Sequence, residues 1–260
     1  MKTVILAGGL GSRLAEETDL IPKPMVEVGG QPVLWHIMRH YAHFGFKEFV
    51  LALGYKSIVV KRYFLELSQA TSNITVDAET GATLHHEDGS GFDWTVHLID
   101  TGLETETAGR VRQILPLVGE ERFFLTYGDG VSDVDLTSVL EFHRSHGKLV
   151  TMTVVRPPSH FGRMSFEGDR VVEFVEKPRR LDDWINGGFF VVEPGIADYL
   201  GPEGMWERVA LERLAEAGEL MAYKHEGFWY CMDSLRDKRY LDDLWTVSYT
   251  HLTLPTICSV

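Results

Sequence analysis

Hydrophobic positions in the first seventy residues alternate between short apolar runs and segments with helical spacing. Residues 3–7 and 48–53 are apolar runs of the length typical of buried parallel strands. Residues 32–44 open with a proline suited to a first helical turn and then repeat apolar side chains at helical spacing, as do residues 56–67. This strand–helix–strand–helix order with short connections predicts a doubly wound, mostly parallel sheet.

The middle of the chain continues this alternation. Residues 95–100 and 122–126 predict two more strands, and residues 109–117 predict a short helix. Residues 135–146 are amphipathic, and Asp135 is a suitable N-cap for that helix. Residues 74–86 are weakly patterned and contain glycine, which indicates a hairpin or an irregular excursion.

Strands and turns dominate from residue 149 onwards. The runs 150–156, 163–166, 170–175 and 186–193 predict an antiparallel insertion and a return strand, and helices are expected near 206–217 and 233–245. We therefore predict an α/β fold with a mixed, mostly parallel sheet and a small antiparallel insertion. Residues 246–260 contain no Asp, Glu, Lys or Arg, so we predict a single domain over 1–245 and a non-native tail over 246–260.

Composition limits the classes of partner. The 38 acidic and 25 basic side chains give a formal net charge of −13, which disfavours nucleic acid and anionic membranes. A phosphorylated substrate must therefore meet local positive charge or a bound cation. Two cysteines, Cys231 and Cys258, are too few for a disulfide framework, and no apolar run approaches the ~20 residues of a membrane span, so we expect a soluble, cytoplasmic protein.

The strand at residues 3–7 runs into a glycine-rich segment. Its sequence is Leu6-Ala7-Gly8-Gly9-Leu10-Gly11-Ser12-Arg13, followed by Pro22-Lys23-Pro24. Glycines let backbone N–H groups approach an anion, and Arg13 and Lys23 supply positive charge. The segment matches neither the P-loop nor the dinucleotide fingerprint, and a tight strand-to-helix turn explains it equally well.

Two aspartates are candidate metal ligands. Asp129 lies between glycines at the end of a predicted strand, where ligands of open α/β sheets bind, and Asp233 lies far along the chain. Two carboxylates from distant segments suit Mg²⁺ bridging phosphate oxygens. The alternatives are a turn-capping role for Asp129 and a helix-capping role for Asp233.

Three further segments carry polar chemistry. Lys177, in Glu176-Lys177-Pro178, could neutralise a phosphate or be an ordinary surface lysine. Asn186 and Gly187 interrupt an apolar run, which indicates either a sugar-binding amide or a β-bulge. Residues 101–110 form a polar, glycine-containing loop that could also be a plain surface loop.

In this order and spacing, the motifs together resemble the sugar-phosphate nucleotidyltransferases. They are the glycine loop ending at Arg13, the P-K-P lysine, the Gly128-Asp129 pair, E-K-P, N-G-G-F-F and the late Met232-Asp233 pair, and the resemblance covers residues 1 to about 245. It implies a Rossmann-like nucleotidyltransferase fold and a Mg²⁺-dependent reaction of CTP with α-D-glucose 1-phosphate. The products would be CDP-glucose and pyrophosphate, used for 3,6-dideoxyhexose and surface polysaccharide (O-antigen) synthesis.

The resemblance also implies roles for individual residues. It places the nucleotide on residues 1–130 and the sugar on residues 131–232, before the C-terminal helix, and it suggests a homo-oligomer, a hexamer. Arg13, Lys23 and Lys177 would be catalytic, and Asp129 and Asp233 would hold Mg²⁺. The nucleotide would contact Leu6, Ala7, Gly8, Gly9, Gly11, Ser12, Arg13, Lys23, Glu104, Gly109 and Gly128, and the sugar phosphate would contact Glu176, Lys177, Asn186 and Gly187.

The resemblance leaves alternatives open. Members of this family tend to have T-G-G-R where this chain has Thr107-Ala108-Gly109-Arg110, which weakens the assignment of the base-binding loop because alanine adopts positive φ less freely than glycine. A uridylyl- or thymidylyltransferase acting on a hexose 1-phosphate, or a catalytically silent sugar-nucleotide-binding module, fits the same phosphate loop.

Overall fold

The computed structural model describes residues 1–11, 21–70, 73–77, 79–80, 83–86, 92–157, 163–167, 170–175, 184–201 and 203–250. Ser12, Arg13, Glu176 and Lys177 lie outside these residues. The strands are β1 Thr3–Ala7, β2 Glu27–Val28, β3 Gln31–Pro32, β4 Glu48–Leu53, β5 Asn73–Val76, β6 Thr83–His86, β7 Thr95–Asp100, β8 Phe123–Tyr127, β9 Gly130–Ser132, β10 Val150–Val155, β11 Arg163–Glu167, β12 Arg170–Val175, β13 Ile185–Val192, β14 Leu220–His225 and β15 Trp229–Cys231. The helices are α1 Val33–His43, α2 Ser57–Ala70, α3 Thr107–Val118, α4 Leu136–His146, α5 Glu212–Glu216 and α6 Leu235–Thr250.

A seven-stranded sheet in the order β14-β10-β13-β8-β1-β4-β7 forms the centre of the molecule. Strand β13 runs antiparallel to both of its neighbours, whereas the other neighbouring strands pair in parallel. Strands β11 and β12 form a separate antiparallel ribbon. The mixed, mostly parallel sheet and the small antiparallel insertion confirm the predicted fold class.

Helices cover both faces of this sheet. Because successive side chains of a strand point to opposite faces, Ile5 packs in a cluster with Tyr41 of α1, whereas Val4 packs in a second cluster with Ile114 of α3. All five residues of β1 are therefore buried. This explains why its sequence is continuously apolar rather than alternating.

Several elements in the structure differ from the sequence prediction in their bounds or were not predicted. Residues 74–86 contain the hairpin β5–β6, which confirms the first of the two alternatives. The strands β2, β3, β9, β14 and β15 were not predicted. Helix α6 continues to Thr250, five residues past the predicted end at 245 and into the segment predicted to be non-native. The boundaries of the functional parts and the foreign origin of 246–260 stay predictions.

Two local predictions concern helices. The Asp135 side chain accepts hydrogen bonds from the backbone N–H groups of Thr137 and Ser138, at 2.8 and 3.0 Å, which confirms it as the N-cap of α4. Among the described residues, no helix is both long enough and apolar enough to cross a membrane.

Candidate active site

The glycine loop leaves the carboxyl end of β1, which lies between β8 and β4 in the sheet. A cavity of about 470 Å³ opens above this edge. The predicted nucleotide-binding residues that line it are Leu6, Ala7, Gly8, Gly9, Gly11, Lys23 and Gly128, together with Asp129 and Asp233. The structure therefore brings residues from three distant parts of the sequence to one sheet edge, where ligands of open α/β folds bind.

The Arg110 side chain packs against the glycine loop and forms a hydrogen bond with it. Its side chain is buried, and Nη2 donates a 2.9 Å hydrogen bond to the Gly8 carbonyl, whereas Nη1 donates to the Leu53 and Gly102 carbonyls, each at 2.9 Å. A Cβ on Gly8 would clash with the Arg110 guanidinium, so glycine allows this close approach without displacing the arginine. Sequence reasoning had grouped Arg110 with the base-binding loop and missed this buttressing contact.

The rest of the 101–110 segment is divided between the cavity and the core. Thr105, Glu106 and Thr107 line the cavity, but Glu104 is exposed beside it and does not. Gly109 is buried in the first turn of α3 and does not line the cavity either. Ala108 is buried in the same turn and has no positive φ, so the departure from T-G-G-R costs no backbone strain.

Lys23 bridges the two candidate metal ligands. Its Nζ lies 2.7 Å from Asp129 Oδ2 and 2.5 Å from Asp233 Oδ1, and its side chain is only 12% exposed. Burial lowers the pKa of Lys23, but the Asp129 carboxylate and the hydrogen bonds to both aspartates outweigh this effect and raise the pKa above its usual value. The ammonium therefore remains charged between two carboxylates.

A short ribbon brings Asp233 to Asp129. Strands β9 and β15 pair antiparallel with Cys231 opposite Gly130, so the residues flanking this pair also face each other. The backbone N–H of Met232 donates a 2.9 Å hydrogen bond to the Asp129 carbonyl, which fixes this register beyond the strand ends. The sequence showed both aspartates but gave no indication of β15, so their proximity could only be inferred from the resemblance.

Ser234 and Asp237 form hydrogen bonds around the start of helix α6. Ser234 Oγ accepts a 3.3 Å hydrogen bond from the Asp237 backbone N–H, and the Asp237 carboxylate accepts 3.1 and 2.7 Å hydrogen bonds from the Asp233 N–H and Ser234 Oγ. This reciprocal arrangement is similar to a capping box, except that the backbone N–H bound by the Asp237 carboxylate belongs to Asp233 and not to Ser234. Tyr230 donates a hydrogen bond to Asp237. Burial is the larger cause, and the Asp237 carboxylate the smaller, of a rise in the pKa of Tyr230 to about 12. The Asp233 carboxylate instead contacts Lys23.

The residues around Lys23 fit a divalent cation. Oxygens of Asp129 and Asp233 and the sulfur of Cys231 lie within 4.8 Å of one another. Burial raises the pKa of the Cys231 thiol and the two carboxylates raise it further, so the thiol stays protonated and is a poor ligand. Two hard carboxylate ligands remain, which suit an ion that keeps several waters.

A second cavity, of about 290 Å³, adjoins the first and shares Tyr127, Asp129 and Asp233 with it. Asn186 and Gly187, the predicted sugar ligands, line this second cavity, as do Glu207 and Trp229. Tyr127 donates a short hydrogen bond to Glu207 and accepts one of 3.3 Å from Asn186 Nδ2.

This network fixes the shape of the second cavity. Trp229 Nε1 donates a 2.7 Å hydrogen bond to the Gly187 carbonyl. Burial, and then the Glu207 carboxylate, raise the pKa of Tyr127, so its hydroxyl keeps its proton. Sequence reasoning missed Tyr127, Glu207 and Trp229 as lining residues. The only available signal was that Tyr127 and Trp229 flank the motifs containing Asp129 and Asp233.

Comparisons with known proteins agree with this arrangement. The family model "Nucleotidyl transferase" matches residues 2–230. The chain is 46% identical over 248 residues to glucose-1-phosphate cytidylyltransferase of Salmonella typhi, covering 94% of this chain and 96% of that protein. It is 30% identical over 246 residues to mannose-1-phosphate guanylyltransferase catalytic subunit beta of Danio rerio, covering 91% of this chain and 62% of that protein.

Solved structures show the same architecture. The crystal structure of HddC from Yersinia pseudotuberculosis superposes with a TM-score of 0.65, covering 94% of this chain and 99% of the other. The two sequences are 21% identical, so this likeness concerns the fold.

Proposed function

This chain belongs to the nucleotidyltransferase family, as its motifs predicted, and we propose that it transfers the cytidylyl group of CTP to α-D-glucose 1-phosphate. The products are CDP-glucose and pyrophosphate. One observation carries this proposal: the cavities of about 470 and 290 Å³ share Asp129 and Asp233. Two anionic substrates in these cavities would meet at the same pair of carboxylates.

The larger cavity suits the nucleotide. Gly8, Gly9, Gly11 and Lys23 line it, and we propose that the backbone N–H groups of this loop bind the phosphates, which is a recurring way of binding anions. Arg13 follows this loop directly in the sequence, and we propose that it adds a second positive charge. The smaller cavity suits the glucose, because Asn186 offers an amide and Trp229 an aromatic face.

The reaction in this site is an in-line displacement. An oxygen of the sugar phosphate attacks the α-phosphorus of CTP, the bond to pyrophosphate breaks, and pyrophosphate leaves. The protein needs no covalent nucleophile for this step; it positions two anions and offsets charge with Arg13, Lys23 and Lys177. We propose Mg²⁺ at Asp129 and Asp233, which when bound would neutralise charge on the phosphate oxygens.

One experiment distinguishes three hypotheses: a cytidylyltransferase, a transferase that uses another nucleotide, and a catalytically silent binding module. Purified protein is mixed with glucose 1-phosphate, Mg²⁺ and each of the four nucleoside triphosphates in turn, and pyrophosphate release is measured. We expect turnover with CTP. Turnover with UTP or dTTP instead, the latter in an added reaction, would move the proposal to another base within the family, and release from no triphosphate would favour a silent binding module.

The biological setting is also a proposal. CDP-glucose made in this way would feed 3,6-dideoxyhexose synthesis for surface polysaccharide, and we propose that the reaction takes place in the cytoplasm. A homo-oligomer, expected to be a hexamer, is tested by light scattering of the purified protein.

A further inference from the structure

We propose that Lys23 is an internal cation that holds the metal site closed until a divalent ion displaces it, and that the displaced ammonium then turns to the nucleotide phosphates. This inference rests on the proposed function, because it concerns the same two carboxylates. It adds an exchange: Lys23 and the metal compete for one position, so metal and triphosphate bind cooperatively.

The distances require competition. A single nitrogen of Lys23 lies 2.7 Å from an Asp129 oxygen and 2.5 Å from an Asp233 oxygen. A Mg²⁺ ion bound to both carboxylates sits at about 2.0–2.1 Å from each oxygen and therefore needs the space between them. Two cations cannot share that space, because at such separations their repulsion is strong even at a protein surface.

The surroundings of Lys23 allow the side chain to move without the backbone. Lys23 begins the 3₁₀ turn Lys23–Met25, in which Pro24 and Met25 are buried, and the Met25 N–H donates a 2.8 Å hydrogen bond to the Pro22 carbonyl. The four-carbon stem of lysine is flexible, so the ammonium can leave the carboxylates while its Cα stays in place.

The cavities determine where the displaced ammonium goes. Lys23 lines the 470 Å³ cavity beside Gly8, Gly9 and Gly11, but it does not line the 290 Å³ cavity around Asn186. An ammonium that loses its carboxylate partners in a half-buried site must find another anion. On this side of the carboxylates, the anion is the triphosphate of the nucleotide.

Two consequences follow for binding. The nucleotide-free protein should bind metal weakly, because the ion must first break both contacts of Lys23. Metal and triphosphate should each strengthen the binding of the other by the same factor, because coupling between two ligands is reciprocal. A lysine that only contacted phosphate would leave metal binding to the free protein unchanged.

The test measures metal binding without any reaction. Free Mn²⁺ is titrated with nucleotide-free protein and followed by electron paramagnetic resonance in wild type, Lys23→Met and Lys148→Met. The control variant removes another lysine from an ion pair, since Lys148 Nζ lies 3.0 Å from Glu219. We expect Lys23→Met to bind Mn²⁺ at least about tenfold more tightly than wild type, and Lys148→Met to stay within about twofold.

A second measurement uses the wild-type protein, so the proposal remains testable if Lys23→Met does not fold. Limited acylation of lysines followed by mass spectrometry should show Lys23 protected without metal and more reactive after Mn²⁺ is added, with Lys148 unchanged. Equal Mn²⁺ affinity in wild type and Lys23→Met, or Lys23 labelling that Mn²⁺ does not increase, would overturn the exchange. Neither result bears on which triphosphate is turned over, so failure of this inference is distinct from failure of the proposed function.

Discussion

Replacing Arg110, which also lines the larger cavity, with methionine should loosen the glycine loop without changing the loop's own residues. The guanidinium donates to the carbonyls of Gly8, Leu53, Gly102 and Leu103 and to Thr101 Oγ1. Methionine fills part of the same volume but donates no hydrogen bond. Each acceptor must then find another donor or remain unsatisfied.

The magnitude follows from which acceptors keep a partner. The Leu53 carbonyl still accepts from the Thr101 N–H at 2.8 Å and the Thr101 hydroxyl at 2.6 Å, and the Gly8 carbonyl still accepts from the Tyr55 N–H at 3.1 Å. The Gly102 and Leu103 carbonyls have no other hydrogen bond among the described residues. Both of these residues are exposed, so water can satisfy their carbonyls, and the loss comes from the three buried hydrogen bonds to Leu53, Thr101 and Gly8. At roughly 0.5–1.5 kcal/mol net for each of these bonds, and with relief of the guanidinium's desolvation in part offsetting it, we expect a loss of about 2–3 kcal/mol.

Denaturant unfolding followed by circular dichroism measures this loss, and thermal unfolding should show a fall of roughly 4–12 °C in Tm for a chain of this size. Arg112→Met is the matched control: it lies two residues along the same helix, is exposed, and donates one 3.4 Å contact to the Leu200 carbonyl. Equal midpoints for Arg110→Met and wild type, or equal losses in the two variants, would refute the buttressing role.

Three other changes test the site and its surroundings. Asp129→Ala should abolish Mg²⁺-dependent pyrophosphate release with little change in Tm. Asp135→Ala is the control: it should lose about 1 kcal/mol of stability and keep its activity. Near-normal turnover of Asp129→Ala would contradict the role of Asp129 as a metal ligand. Trp229→Phe removes the hydrogen bond to the Gly187 carbonyl and should raise KM for glucose 1-phosphate about fivefold with KM for CTP unchanged; an equal rise in both would count against a separate sugar cavity. Burial lowers the pKa of His40 in the folded protein to about 4, whereas the pKa of a histidine in the unfolded chain is about 6.5. As the pH falls below about 6.5, the unfolded chain therefore binds a proton that the folded protein does not bind, and the folded state loses stability. From this group, wild type should lose about 2 kcal/mol of stability between pH 8 and pH 5. In denaturant unfolding, His40→Phe should lack this part of the pH dependence of stability. If His40→Phe and wild type show the same pH dependence, the contribution of His40 is excluded.

Predictions from sequence succeeded where local pattern and tertiary environment agree. Strand β1 was predicted with its observed bounds because a strand buried on both faces is continuously apolar. Strand β15 was missed because it has three residues and is held by pairing with β9, which no local pattern reveals. Arg110 was predicted only as part of the 101–110 loop, on the strength of the resemblance, and only the fold shows that it donates to the Thr101 hydroxyl and to backbone carbonyls, including that of Gly8.

The residues that line the larger cavity indicate which positions determine the choice of nucleotide base. In the proposed reaction, the glycine loop would bind the triphosphate through backbone atoms, which cannot distinguish cytosine from another base, and Asp129 and Asp233 would lie beside the phosphates. Pro24, Arg110 and Tyr127 also line this cavity, but Pro24 has no polar side-chain group, Arg110 donates to backbone carbonyls, and Tyr127 bonds Glu207 and Asn186. Of the other described lining residues, we expect Thr105, Glu106, Thr107 and Met205 to contact the nucleoside. Relatives named for cytidylyl and guanylyl transfer match this same chain, so the phosphate chemistry can stay constant while the base changes. We therefore expect substitutions at these four positions to alter the choice of triphosphate more than the rate with the preferred one.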